Sequence, residues 1–107
     1  MESPGRRTFL VECYAPDLER AAVESAARRA EEAAAALRRE GCAVEYEHAL
    51  LVAGDEVVFH VFAAGDQEAV RLVSERAALA FERIVESVAV RAGDAHVTEM
   101  NEEEPCD

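Results

Sequence analysis

The sequence predicts an α+β domain of ferredoxin-like β-α-β-β-α-β order, and three observations carry that expectation. Four short segments rich in β-forming residues alternate with two longer segments of helical periodicity. Turn residues stand where such elements must end: Pro16-Asp17, Gly41, Gly54-Asp55 and Asp66. The order of the segments is that of the split βαβ arrangement, in which two helices cover one face of a four-stranded antiparallel sheet. A chain of 107 residues is large enough for one such core and too short for two.

The first strand is read from Thr8 to Tyr14, T-F-L-V-E-C-Y. It stops at Ala15-Pro16-Asp17, where proline cannot continue a ladder and aspartate can cap a helix. From Leu18 to Glu40 there is neither glycine nor proline, and Leu18, Ala22, Ala26, Ala30, Ala33 and Leu37 recur at helical spacing. Gly41 is the expected C-terminal stop. Val44 to Ala53 and Glu56 to Ala64 read as antiparallel strands joined around Gly54-Asp55. Asp66 is the expected N-cap of a helix reaching about Leu79, and Arg83 to Arg91 reads as the fourth strand. The domain thus spans 8–91, and 92–107 forms an acidic tail expected to be disordered.

Strand alternation predicts the two faces of the sheet. With Phe9, Val11 and Cys13 toward the helices, Leu10, Glu12 and Tyr14 turn away; Phe59 and Val61 are expected inward, and Val58, His60 and Phe62 outward. Leu10, Tyr14, Tyr46, Leu50, Val58, Phe62, Ile84 and Val88 then make an outer apolar patch too large to leave wet on a monomer. A homodimer with stacked sheets, a dimeric α+β barrel, is the expected cover.

Charge narrows the partners. The formal charge is −12, and six of the 23 acids fall from Ala92 onward with no arginine among them, which leaves 17 acids against 11 arginines through Arg91. Nucleic-acid binding needs a positive face, so no nucleic-acid partner is expected. No apolar run approaches the ~20 residues of a membrane span, and the opening residues lack the apolar stretch of a secretory signal, so neither membrane association nor export is expected and a cytoplasmic location is. Cys13, Cys42 and Cys106 show no CxxC spacing and read as free thiols.

With the sheet order 4-1-3-2, Glu86, Glu12, His60 and His48 belong to successive strands and form a transverse row on the outer face. Two imidazoles and two carboxylates suit a divalent ion such as nickel or zinc, and equally suit general acid–base chemistry. They also suit an ion-paired dimer interface with no ligand. Tyr14 borders the same face and offers a hydroxyl to a bound molecule.

F-L-V-E-C-Y-A-P at 9–16, D-E-V-V-F-H-V-F-A-A at 55–64 and F-E-R-I-V-E at 81–86 resemble a family of small bacterial ferredoxin-like proteins of unknown function that includes nickel-binding relatives. In that pattern Glu12, His60 and Glu86 occupy matching positions. The resemblance implies a dimer and permits a metal. The expected function is accordingly a small dimeric binding protein, holding a nickel-like divalent ion or a small ligand between the sheets. The alternatives are a dimeric barrel enzyme (a cyclase, isomerase or cofactor-free oxygenase using His60 with Glu12 or Glu86) and a structural or regulatory dimer without ligand.

Overall fold

The computed structural model describes residues 6–90 and Ala92. Strand β1 spans Arg7–Tyr14, helix α1 Arg20–Arg39, β2 Val44–Val52, β3 Val57–Ala64, helix α2 Gln67–Arg76 and β4 Arg83–Ser87, with one 3₁₀ turn at Ala53–Asp55 between β2 and β3. The four strands form one antiparallel sheet in the order β2-β3-β1-β4, with both helices on one face. This is the ferredoxin-like arrangement expected from the order of segments. Among the described residues no helix is long and apolar enough to cross a membrane. The expected acidic tail lies outside the described residues apart from Ala92.

Element ends follow local chemistry. At the end of α1, Gly41 sits at φ 96°. Its N–H donates to the Arg38 carbonyl at 3.0 Å and that of Cys42 to the Leu37 carbonyl at 2.9 Å, the paired bonds of a Schellman motif. Asp66 caps α2, its Oδ1 accepting from the Ala69 N–H at 2.9 Å. Asp17 does not cap α1: it adopts a left-handed conformation (φ 56°) in the turn after Pro16, and the helix starts at Arg20 behind Glu19, which makes no side-chain cap bond. Strand β4 ends at Ser87 rather than Arg91, and Val88 and Val90 are exposed beyond it.

The core forms where β1 and β3 meet the helices. Phe9 and Val11 of β1, Phe62 and Ala64 of β3 and Val44 of β2 pack under Ala30, Ala34 and Leu37 of α1 and Val70 and Val73 of α2. Phe9 and Phe62 are paired in register and fully enclosed, and each contributes about 1.5–3 kcal/mol by leaving water.

This pairing corrects the expected faces. Val11 pairs with His60 and Cys13 with Val58, so Val58, His60 and Phe62 point to the helices and Phe59 and Val61 to the open face. In β4, Val11 pairs with Ile84 and Phe9 with Glu86, which leaves Arg83 and Val85 on the open face. A bulge between Tyr46 and His48 sends Tyr46 to the core and His48 to the open face, although they are two residues apart. The open face therefore keeps the expected Leu10 and Leu50 and carries Phe59, Val61 and Val85 in place of the expected Tyr46, Val58, Phe62 and Ile84.

Ala78, at φ 59°, occupies the left-handed position after α2, where its N–H donates to the Glu75 carbonyl and that of Leu79 to the Ser74 carbonyl. A Cβ is strained in that conformation and glycine is not. Ala78→Gly should raise stability by roughly 0.5–1 kcal/mol in denaturant titration; a loss of stability would mean that the Ala78 methyl is needed for packing.

Candidate functional site

Helix α1 approaches the sheet through alanines over much of its length, and toward its N-terminus these small side chains stop short of the strands. Between them lies a cleft of about 150 Å³. Leu18, Ala22, Val23 and Ala26 form its upper wall, Cys13, Tyr14, Val58 and His60 its floor, and Arg29 and Leu79 close one side. An apolar cavity of this size is comparable to one that admits benzene.

His60 is the one buried ionisable side chain of the described residues, with 2% of its surface accessible. Its position follows from β3, which is paired on both edges and covered by the helices, so a polar residue of this parity has nowhere to go but inward. The Tyr46 hydroxyl, diagonally across from it on β2, lies 2.9 Å from His60 Nδ1. The Tyr46 ring in turn rests edge-on against Phe62, with centroids 5.2 Å apart. The imidazole is thereby held in one orientation.

Burial, reinforced by the positive charge of Arg29, pushes the His60 pKa down to about 4. Burial, with smaller contributions from Glu31 and Cys13, pushes the Tyr46 phenol up to about 12. At neutral pH the pair is thus a neutral imidazole and a neutral phenol sharing one hydrogen bond. If Tyr46 donates to Nδ1, the other ring nitrogen of His60 carries the proton and is a donor; if Nδ1 donates, the other nitrogen offers a lone pair. That second nitrogen has no hydrogen-bond partner among the described residues, and Ser74 Oγ is the only fully enclosed side-chain polar atom left unpaired among them.

Cys13 shares the cleft as a thiol. Burial and then Glu82 and Glu12 raise its pKa to about 11, which suppresses the thiolate a nucleophile needs. Arg29 is fixed at the rim by its Nε donating to the Ala77 carbonyl at 2.8 Å and one terminal nitrogen donating to Ser25 Oγ at 3.2 Å. Neither Arg29 nor Tyr46 stands out in the sequence as a site residue. The available signals were an arginine flanking the alanine stripe of α1 and a tyrosine one position before a bulge.

The expected quartet does not assemble. Glu12 lies on the open face, bound to Arg83 Nε at 2.5 Å, on the opposite side of β1 and β3 from His60. Glu86 is at the exposed end of β4, 3.4 Å from Arg7. His48 is exposed on the open face opposite Val61. The expectation of a transverse row fails because β3 has the parity opposite to the one assumed and the bulge in β2 separates His48 from Tyr46. Among the described residues no three His, Cys, Asp or Glu side chains come close enough to hold a metal ion. Tyr14 does border the cleft beside His60, with its hydroxyl 3.4 Å from a Glu56 carboxylate oxygen.

Set against protein-family models, curated proteins and solved structures, the chain finds no match in any of the three.

The buried imidazole makes stability depend on pH. In the unfolded chain His60 takes up its proton near its ordinary pKa of about 6.5, and in the folded protein only near 4. Between these values the unfolded chain binds more protons, so this contribution is complete above pH 6.5 and is lost as pH falls toward 4. Melting curves from pH 7 to 4 should fall more steeply for wild type than for His60→Gln, by on the order of 2–3 kcal/mol across the window. Parallel curves would mean that the imidazole titrates as if in water.

Proposed function

We propose that this protein is a small-molecule-binding domain whose ligand sits in the cleft between α1 and the sheet. The observation that carries this reading is the His60–Tyr46 pair: an enclosed, neutral imidazole, oriented by a tyrosine and set in the floor of a benzene-sized apolar space. Apolar walls with a few convergent polar groups are the common chemistry of ligand pockets. Such a site selects by shape and apolar contact and orients its occupant through one hydrogen bond at His60.

Chemical-shift mapping on isotope-labelled protein, with a panel of single-ring compounds, tests the site directly. Perturbations should cluster at Val23, Val58, His60 and Leu79. Ala26→Leu adds three carbons to the cleft wall and should weaken binding at least about tenfold while the protein remains folded. Perturbations confined to the open sheet face, or binding unchanged in Ala26→Leu, would overturn the reading.

The dimer expectation belongs to the open face. Half-buried Leu10, Phe59 and Val85 form its apolar centre around the buried Val61, and the exposed Leu50 and Val52 extend it toward β2. The internally paired Glu12 and Arg83 keep it near neutral in a strongly acidic chain. We propose a second copy as its cover. Isologous contact sets a patch against itself, and an adjacent acid and base complement themselves across a two-fold axis. Light scattering should report about twice the 11.7 kDa chain mass. Phe59→Glu should yield a folded monomer, whereas Phe62→Glu should unfold the chain by placing an unpaired charge in the core. A wild-type monomer, or a Phe59→Glu dimer, would sink the proposal.

A further inference from the structure

The walls of the cleft differ from the rest of the surface in charge. The chain has more than twice as many acids as bases, 23 against 11, yet no carboxylate lines the cleft, and its one ionised residue at neutral pH is Arg29. Most of the other described arginines are committed to acids: Arg6 to Glu45, Arg7 to Glu86, Arg20 to Glu24, Arg76 to Glu40, Arg83 to Glu12, and Arg71 to both Glu68 and Glu75. Arg29 has no carboxylate partner among the described residues. Its bonds go to two neutral oxygens, the Ala77 carbonyl and Ser25 Oγ, which fix the guanidinium without neutralising it.

The nearest acids lie outside the lining: Glu56 accepts from the Tyr14 hydroxyl at 3.4 Å, Glu82 and Glu12 are felt at Cys13, and Glu31 at Tyr46. Arg29, by contrast, is felt at His60, on the floor of the cleft. A cation oriented by two hydrogen bonds, lacking a counter-ion and facing an apolar space suits a planar anion at the mouth of that space. A guanidinium matches a carboxylate in both charge and shape.

We propose that the cleft takes a small organic monoanion: a single-ring or comparably sized apolar body under α1, carrying one carboxylate that pairs with Arg29 at the rim. The inference rests on the cleft being the ligand site and adds the class of ligand. Val23, Ala26 and Val58 enclose the body, the carboxylate stays at the wet edge where its desolvation is partial, and His60 meets whatever polar atom the ring carries inward. A dianion is disfavoured, because the walls offer only one charge.

A matched pair of probes on the full chain separates this inference from the reading it rests on. Benzoate and benzyl alcohol have similar size and differ in charge. Wild-type protein should bind benzoate about tenfold more tightly than the alcohol in calorimetry or shift titration at low salt, and the advantage should shrink in 0.5 M salt. Arg29→Gln should remove the advantage while leaving the alcohol's affinity within about twofold. Since Arg29 also holds the Ala77 carbonyl, the wild-type comparison and its salt dependence decide the matter if that variant folds poorly. Equal binding of the two probes, or tighter binding of the alcohol, would overturn the anion and leave the cleft standing. Binding of neither would overturn the cleft reading itself, and with it this inference.

Discussion

The enclosure of Phe9 and Phe62 under both helices is the constraint on which the rest of the molecule depends. The two rings face each other across the β1–β3 ladder, and because side chains alternate along a strand, burying this one pair sets the parity of both strands. Val11 and His60 must then share the helix side, as must Cys13 and Val58. Glu12 and Phe59 must share the other. Through β1 the same choice passes to β4, where Ile84 goes in and Arg83 out. A slip of one residue would expose both phenylalanines, so no local preference of a histidine or glutamate outweighs it.

The cleft is a consequence of how that core is filled. Where α1 lies over the paired phenylalanines, its alanines and Leu37 meet large partners and the packing closes. Nearer the helix N-terminus, Ala22 and Ala26 face Val58, Cys13 and His60, and side chains of that size leave space. The same stripe of small residues therefore produces a tight core at one end and a cavity at the other, according to what β1 and β3 present below it. His60 falls in the open half. Its hydrogen bond to Tyr46 offsets part of the cost of burying a polar ring, and its low pKa keeps that ring uncharged.

The two faces of the sheet consequently divide the chemistry. The helix side holds a neutral pair, His60 and Tyr46, with one cation at its margin; the open side holds apolar side chains around an internally satisfied ion pair. Residues that seemed to belong to one transverse site, Glu12, His60, Glu86 and His48, are distributed between these environments and an exposed strand end. Each finds a local partner or water there: Arg83 for Glu12, Tyr46 for His60, Arg7 for Glu86, and solvent for His48.

The sequence by itself determined the order of elements, most of their ends and the fold class, because these rest on short-range chemistry: β-branched runs, helical spacing of apolar residues, Gly41 as a left-handed stop and Asp66 as a cap. It determined the faces of β1 as well, since Phe9 and Val11 alternate with a glutamate. It did not determine the faces of β3, because V-V-F-H-V-F-A-A is apolar at both parities and either parity could be set against the helices. Nor did it determine the switch in β2, because a bulge arises from the match between two strands and leaves no mark in either alone. Which residues meet His60 was settled only when β3 was seated beneath the helices, where the larger gain from enclosing Phe62 turned the histidine inward with it.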